Sequence, residues 1–227
     1  MARPSRNDGD GGSARDALIR AAIELFGRDG YAAVSTRMLS ERAGTNIASI
    51  KYYFGSKDDL YRAAVEHVVE TLRPRLELAL DGFAQGQELA GDDPALQARL
   101  LKRLIANLMG LFLGSDEVPV FMPLVLREFF MPGPHFETFS QALPRRLHEL
   151  FTSAVAMVRG TDPDDEATIL QAHALIGQIM IFHVGRPILF RRMDWQSFDP
   201  ERIDAIVTTV QASMLRSLDL EDPDRDR

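Results

Sequence analysis

Signals that start or stop a helix follow one another closely between residues 29 and 56, and this spacing constrains the fold more than any other feature. In order, they are Asp29-Gly30, Ser35 or Thr36, Gly44, Asn46, Gly55 and Ser56. Serine, threonine and asparagine cap helix N-termini, and glycine commonly ends helices. The segment therefore predicts two helices of about eight residues each between two longer ones. Because helices this short are unstable alone, they must pack against their neighbours.

The turn between the two short helices has the composition of a helix-turn-helix unit. Ala43-Gly44-Thr45-Asn46 supplies a glycine that adopts positive φ at no steric cost and an asparagine that starts the next helix. In this arrangement the second helix enters the major groove of DNA. We expect Ile50 and Phe54 to pack inward on Leu39 and the first helix, so that the remaining residues of the second short helix face outward.

The outward-facing residues have the chemistry needed to recognise DNA. Small side chains at Ala48 and Ser49 allow close approach to base edges, and Ile47 can contact a thymine methyl group. Lys51 can reach a guanine or a phosphate, and the start of the preceding helix offers backbone N–H groups and Arg37 to another phosphate. The complete predicted set, in which Tyr53 and Lys57 hold the DNA backbone, is Ser35, Thr36, Arg37, Asn46, Ile47, Ala48, Ser49, Lys51, Tyr52, Tyr53 and Lys57.

The rest of the sequence also has the pattern of helices. The first helix is predicted to begin with Ser13 as its N-cap, and the fourth to run from Ser56 to about Leu80. A bend is expected near Pro74. Proline-containing breaks separate the later helices, for about eight to ten in all, and no alternating pattern predicts a strand. We therefore predict an all-α fold, with a disordered first dozen residues and a frayed end after Leu218.

Charge is distributed unevenly along the chain, whose net charge is −7. Residues 1–57 net +3, whereas the remaining residues net −10. Such a sign change is typical of an interaction domain joined to a different domain, and the alternative is a chance distribution of charge. Cysteine is absent, which excludes disulfides and thiolate metal sites. Without a signal-peptide core or a run of about 18 apolar residues, we expect a cytoplasmic protein that does not span a membrane.

Two stretches of the sequence resemble the signatures of the tetracycline-repressor (TetR) family. Residues 21–31, AAIELFGRDGY, are similar to the family pattern A-A-x-x-L-F-x-x-x-G-[FY]. Residues 50–60, IKYYFGSKDDL, are similar to its [LIV]-Y-x-[YH]-F-x-[SN]-K-[ED]-x-L, except that Lys51 stands where the family usually has an aromatic residue. The resemblance implies a disordered N-terminal arm at 1–13, a helix-turn-helix DNA-binding domain at 14–60, an effector-binding and dimerisation domain at 61–218, and an acidic tail at 219–227.

A narrower resemblance is to the CecR-like branch of that family. Residues 46–50, NIASI, are similar to the branch's N-V-A-A-I and differ from the commoner Ser-Lys-Gly pattern at this turn. Arg127-Glu128 followed by Pro132, and Gly177-Gln178 followed by Arg186-Pro187, are also similar to that branch. These departures lie on the second short helix, which is predicted to contact the bases and is called the reading helix below. The resemblance therefore does not identify the operator sequence.

The family resemblance implies a ligand-responsive transcriptional regulator that binds double-stranded operator DNA as a homodimer. The typical member is a repressor that a small, largely apolar effector releases from DNA. The helices near 164–184 and 200–218 would form the dimer interface, and residues 165–190 are apolar enough to be buried in one.

Candidate effector-binding residues combine adaptable apolar walls with groups that can orient a polar atom. The alternative for the Met and Phe residues among them is an ordinary place in the core. The candidates are Met109, Phe112, Arg127, Phe129, His135, Phe136, Gln178 and Phe182.

The sequence disfavours two other classes of protein. A helical-bundle enzyme is disfavoured because the sequence has no E-x-x-H or H-E-x-x-H metal motif, no phosphate-binding glycine loop and no G-x-S-x-G turn. We therefore expect no catalytic residue, no metal and no cofactor. An interaction module that has lost DNA binding is disfavoured by Tyr53, Lys57 and the small pair Ala48-Ser49.

Overall fold

The computed structural model describes residues 8–224, with side chains described from Ser13 onward. Over this range the chain forms eleven α-helices and no strand, which confirms the predicted all-α fold. The count exceeds the prediction because the segments after His135 and Gly185 form short helices of their own. The helices are α1 (Asp8–Asp29), α2 (Thr36–Ala43), α3 (Ile47–Tyr53), α4 (Lys57–Ala90), α5 (Pro94–Gly114), α6 (Val118–Phe130), α7 (Phe136–Ala142), α8 (Pro144–Arg159), α9 (Glu166–Val184), α10 (Arg186–Met193) and α11 (Pro200–Ser217).

The helices form two compact units. The N-terminal unit contains the residues up to Thr71 together with Pro119–Ser140, and the C-terminal unit contains Leu72–Val118 and the residues from Gln141 on. The family resemblance implies one domain at 61–218 and a tail at 219–227, whereas the structure groups most of α6 with the helix-turn-helix. Helix α4 contributes residues to both units.

The core of the N-terminal unit is built from the apolar sides of α1 to α4 and α6. Leu18 and Phe26 of α1, Leu39 of α2 and Leu60 of α4 are fully buried, and Ile50 of α3 is nearly so. This is the inward packing that the helical spacing predicts. The short helices α2 and α3 therefore gain their stability from α1 and from each other.

Several helix ends differ from the sequence expectation. Helix α1 begins at Asp8 rather than at the predicted cap Ser13, and the remainder of the predicted disordered arm lies outside the described residues. Helix α4 continues past Leu80 to Ala90 with Pro74 inside it. The chain after Leu218 is held through Asp224, because the Lys102 ammonium binds the carboxylates of Asp222 and Asp224 at 2.7 and 2.9 Å.

The C-terminal unit is a helical bundle with one large core. Helix α5 packs against α8 and α11, and α8 packs against α9. Met109 of α5, Phe151 of α8, Leu175 of α9 and Met214 of α11 are fully buried in this core. The bundle leaves one long helix, α9, with a largely uncovered side.

The uncovered side of α9 is aliphatic. Leu170, Ile181 and Val184 are 61%, 55% and 44% exposed, and an added Cβ at Gly177 would meet no atom within 4 Å. His173 is also exposed. Helix α9 has the length and apolarity of a membrane-crossing helix, contrary to the expectation that no segment has them; buried helices of globular proteins share these properties.

Candidate nucleic-acid interface

Local hydrogen bonds fix the turn between α2 and α3. Of the two predicted caps for α2, Ser35 is the one used, because its Oγ accepts a hydrogen bond from a backbone N–H of the helix at 3.2 Å. Helix α2 ends at Gly44, whose φ of 66° lies in the left-handed region that favours glycine. Asn46 Oδ1 then accepts the Ala48 N–H at 3.0 Å and starts α3. Both predicted caps are confirmed.

Helix α3 turns its polar and small residues outward. Ile50 is 3% exposed, whereas Ile47 is 50% and Tyr52 81% exposed. The rings of Tyr52 and Tyr53 meet edge-on with centroids 4.8 Å apart, which places two phenol groups near the end of the helix. Of the other predicted DNA-binding residues, the exposed ones are Ser35, Thr36, Arg37, Asn46, Ala48 and Lys51, and the half-buried ones are Ser49, Tyr53 and Lys57.

Two exposed cations among the predicted DNA-binding residues are Arg37 of α2 and Lys51 of α3. Arg37 pairs with Glu41 one turn later at 2.8 Å, with both side chains largely exposed. An exposed pair of this kind is weak, so a phosphate can compete for the guanidinium. Lys51 projects from the middle of the outer face of α3 and is exposed. Both cations are therefore accessible from solvent.

Lys57 has a role that sequence reasoning missed. Its ammonium donates hydrogen bonds to the backbone carbonyls of Tyr31 and Val34, both at 2.9 Å, and lies 4.2 Å from the centroid of the Tyr31 ring. Two of its three N–H donors are therefore used inside the chain. Lys57 ties the start of α4 to the connection between α1 and α2, which positions the helix-turn-helix.

The first turn of α4 is closed by a reciprocal pair of side-chain contacts. Ser56 Oγ accepts the Asp59 N–H at 3.0 Å and donates to Asp59 Oδ2 at 2.6 Å. The predicted cap at Ser56 is confirmed. Carboxylates at Asp58 and Asp59 also suit the positive end of the helix dipole. These contacts fix the residue at which α4 begins.

Two protein-family models match this chain, one in its N-terminal part and one in its C-terminal part. Residues 18–64 match the family described as bacterial regulatory proteins, tetR family, and residues 98–219 match the C-terminal domain of the HTH-type transcriptional dual regulator CecR. Over 204 residues the chain is 36% identical to CecR of Shigella flexneri, which covers 88% of this chain and 89% of that relative. The chain belongs to the TetR family. Its regulators bind DNA and are not enzymes, so the resemblance is confirmed and the enzyme alternative is excluded.

Two further comparisons agree with this membership. The chain is 33% identical over 121 residues to the HTH-type transcriptional repressor NicS of Pseudomonas putida, over 53% of this chain and 50% of that relative. A putative fatty acid metabolism regulator of Clostridium perfringens shares the fold with a TM-score of 0.59 at 17% identity, over 88% of this chain and 97% of the other.

In this TetR-family chain, a buried hydrogen-bond group holds α6 to α4 within the N-terminal unit. Tyr61 donates its phenol hydrogen to Glu128 Oε1, and the Gly133 N–H donates to Glu128 Oε2 at 3.1 Å. Glu128 is 1% exposed. Burial, together with the Glu128 carboxylate, raises the pKa of Tyr61 far above its usual range. An acidic residue inside the apolar sequence of α6 was the signal that sequence reasoning passed over.

Helix α6 also contacts α1 closely within the same unit. An ideal Cβ at Gly27 would lie 2.8 Å from the Leu124 backbone nitrogen, so only glycine allows the two helices to cross this closely. The Arg127 guanidinium fills the space beside Gly30, which has a φ of 86°. Arg127, predicted as an effector ligand, thus lies at the C-terminal end of α1.

The structure divides the predicted effector-binding residues between the two units. His135 Nε2 lies 3.3 Å from Asp58 Oδ2, and Phe129 meets the Phe139 ring edge-on at 5.8 Å. Both belong to the N-terminal unit. The residues of the N-terminal unit are Arg127, Phe129, His135 and Phe136, and those of the C-terminal unit are Met109, Phe112, Gln178 and Phe182.

Next to the candidate effector-binding residues of the C-terminal unit lies a buried polar atom, His183 Nε2. Met109 is fully buried in the core, and Phe112 and Phe182 are partly buried against it. The ring of His183 lies edge-on to Phe112 with centroids 6.1 Å apart, and its Nε2 is buried without a hydrogen-bond partner among the described residues. Burial lowers the pKa of His183 to about 4, so this imidazole is neutral near pH 7.

Proposed function

We propose that this chain is a homodimeric transcriptional repressor that binds operator DNA through α3 and is released by a small, largely apolar effector. The observation that carries the proposal is the outer face of α3, where Ile47, Ala48, Lys51 and Tyr52 are exposed around a small-residue centre. Such a face fits the major groove, where bases offer hydrogen-bonding edges and thymine methyl groups. As a regulator of bacterial genes, the protein would act in the cytoplasm.

The proposed dimer interface is formed by α9 and α11. The exposed aliphatic residues of α9, Leu170, Ile181 and Val184, would be buried against the partner, and Gly177 allows close approach of the two backbones. Helix α11 exposes the small residues Ala205 and Thr209 one turn apart. A two-fold dimer places two reading helices at half-sites about 34–36 Å apart.

The proposed effector pocket lies within the C-terminal unit around Met109, Phe112, Gln178 and Phe182. Methionine and phenylalanine give walls that adapt to an apolar ligand. The neutral His183 beside Phe112 supplies a polar atom that can orient it. We do not place Arg127 or His135 in this pocket, since each has a contact within the N-terminal unit.

Release of DNA would require the effector to favour one arrangement of the dimer over another. Helix α4 suits this role, because it is one continuous helix whose residues belong to both units. Its first residue, Lys57, holds the connection that precedes the helix-turn-helix. A shift of α4 would therefore alter the half-site separation that α3 can reach.

The test begins with selection of bound sequences from random duplex DNA, followed by band-shift titration of the selected operator. We expect a palindromic site bound at about 10 nM or tighter, with affinity that falls steeply with salt. The double variant Lys51→Ala with Tyr52→Ala should lose specific binding, whereas Arg99→Ala, on the exposed surface of α5, should not. Failure to select any sequence would overturn the proposal.

Repression and release are tested with a reporter whose promoter contains the selected operator. Repression predicts higher expression when the regulator is deleted, and lower expression would identify an activator instead. A screen of small apolar compounds for operator release should yield at least one, and Phe112→Ala with Phe182→Ala should abolish its effect while operator binding remains. If release persists in that variant, the effector pocket lies elsewhere.

A further inference from the structure

A groove within the N-terminal unit lies between α1, α2 and the start of α6. Its volume is about 800 Å³, within the range of small-molecule sites in proteins. Most of its walls are small or apolar side chains, which come from all three helices. They are Ala17, Ala21, Ala43, Pro119, Val120 and Pro123.

Three arginines and one glutamate also line this groove. Arg42 pairs with Glu24, and Arg28 pairs with the neighbouring Asp29 at 2.7 Å. Arg20 is exposed and forms no ion pair within the described residues. Because a guanidinium has five N–H donors, Arg42 keeps donors free after binding Glu24. The groove therefore offers an excess of positive charge beside apolar walls.

The apolar wall from α6 is held firmly against α1. The helices cross at Gly27, where an ideal Cβ would lie 2.8 Å from the Leu124 nitrogen and 3.1 Å from the Pro123 carbonyl carbon. Pro119 and Pro123 are one helical turn apart and share a face of α6. Between them Val120 is 52% exposed. The groove thus has a fixed apolar border that the surrounding chain leaves uncovered.

We propose that this groove binds an amphipathic organic anion, a small molecule with an aromatic or branched apolar body and one carboxylate. The body would lie against Val120 and the two prolines, and the carboxylate would accept charge-assisted hydrogen bonds from Arg20 and Arg42. This site lies wholly within the N-terminal unit and does not depend on the effector pocket proposed for the C-terminal unit. Its occupant would contact α1, α2 and α6 together.

The apolar walls distinguish this site from a simple phosphate contact. A DNA phosphate would engage the arginines but would leave Val120 and the prolines in water. Conversely, a neutral apolar molecule would bury the walls but gain nothing from Arg20. Only a ligand that has both parts uses the whole groove, so affinity should depend on both the charge and the apolar body.

The test uses fluorine NMR on a single engineered cysteine, since the chain has no cysteine of its own. Asp16→Cys, exposed one helical turn before Arg20 and outside the groove lining, is labelled with a small trifluoroethyl group. Asp81→Cys, which makes the same change at an exposed position of α4 in the C-terminal unit, is the matched control. Each protein is titrated with 4-phenylbutyrate. We expect a saturable change in the fluorine shift at position 16 and none at position 81.

Variants and analogues of the probe separate the proposal from its alternatives. Arg20→Glu should weaken binding of 4-phenylbutyrate about tenfold or more, and Arg99→Glu, which makes the same charge change on α5, should leave it unaltered. The neutral 4-phenylbutyramide should bind far more weakly than the acid. Equal binding of the amide, equal binding of inorganic phosphate, or no saturation at position 16 would each overturn the proposal. The comparison of 4-phenylbutyrate with its amide uses protein in which Arg20 is unchanged. It therefore tests the role of the carboxylate even if Arg20→Glu does not fold.

Discussion

The short helix α3 and the long helix α9 each expose one face, and the two faces differ in chemistry. Helix α3 exposes Lys51 and Tyr52 beside small residues, whereas α9 exposes Leu170, Ile181 and Val184. Both faces are exposed to solvent. A face with cations and hydrogen-bonding groups can bind phosphates and base edges. An aliphatic face of this size marks a site where another apolar surface packs. This difference supports the proposal that α3 contacts DNA and that α9 packs against a second copy of the chain.

The largest expected effect comes from placing a charge on the aliphatic face of α9. Ile181→Asp would bury a carboxylate on each side of the proposed interface, which costs several kcal/mol, and the dimer should dissociate. Because the two reading helices are then no longer linked, operator affinity should fall about 1,000-fold. Analytical ultracentrifugation and band-shift titration measure the two effects.

The matched control for this variant is Leu89→Asp, which makes a similar change at an 82% exposed position of α4. We expect it to remain dimeric and to bind the operator normally. An Ile181→Asp protein that is still dimeric at micromolar concentration would show that α9 is not the dimer interface, and the aliphatic face would need a different partner.

The next effect concerns the contact between Lys57 and the connection from α1 to α2, which positions the helix-turn-helix. Lys57→Met removes two hydrogen bonds from an ammonium to the carbonyls of Tyr31 and Val34, so the free energy of unfolding should fall by about 3 kcal/mol. Chemical denaturation followed by circular dichroism measures it. The same change at the exposed Lys51 should leave stability unaltered. If Lys57→Met is as stable as the parent but binds DNA with a weaker salt dependence, Lys57 acts mainly as the phosphate contact that the sequence suggested.

A third, pH-dependent effect lies on the covered side of α9. Because the pKa of His183 is lowered to about 4 from 6.5 in the folded chain, the unfolded chain takes up the proton first as pH falls. Stability should therefore decrease as pH falls from about 6.5 to about 4 and then lose nothing more from this group. The loss is on the order of 3 kcal/mol.

Replacement of His183 isolates this contribution from the other titrating groups. His183→Gln should flatten the curve of thermal stability between pH 6.5 and 4, whereas Leu89→Gln, which introduces the same side chain at an 82% exposed position of α4 and removes no titrating group, should leave the curve unchanged. A parent curve that His183→Gln does not alter would show that His183 accepts a proton as readily in the folded chain as in the unfolded one.

The local parts of the interface could be predicted from sequence because the interactions that form them are local. Ser35, Asn46 and Ser56 cap helices through bonds that span two or three residues, and Gly44 supplies the positive φ of the turn. The side that α3 buries follows from its helical period, with Ile50 inward. Such features depend on a few neighbouring residues, which the sequence shows directly.

Contacts between distant residues could not be predicted in this way. The Tyr61 hydroxyl meets Glu128 across 67 residues, and the Lys57 ammonium reaches Tyr31 across 26. No periodic pattern states that α6 belongs with the helix-turn-helix, so Arg127 and Phe129 were grouped with residues of the other unit. The apolar periodicity shows that a helix is buried on one side, but not which helix buries it.

The smallest expected effect tests whether Lys51 reads a base or holds a phosphate. If it contacts one phosphate in each half-site, Lys51→Met should lower the slope of log affinity against log salt by about 1.8 for the dimer, with about tenfold weaker binding at 0.15 M salt. If it contacts guanine, the slope changes less, and selection with the variant should relax preference at one position of each half-site. Arg99→Met on α5 should change neither slope nor preference. Unchanged slope and unchanged preference in Lys51→Met would mean that the cationic part of the α3 face does not touch DNA, and the contrast between α3 and α9 would then rest on Tyr52 and the small residues alone.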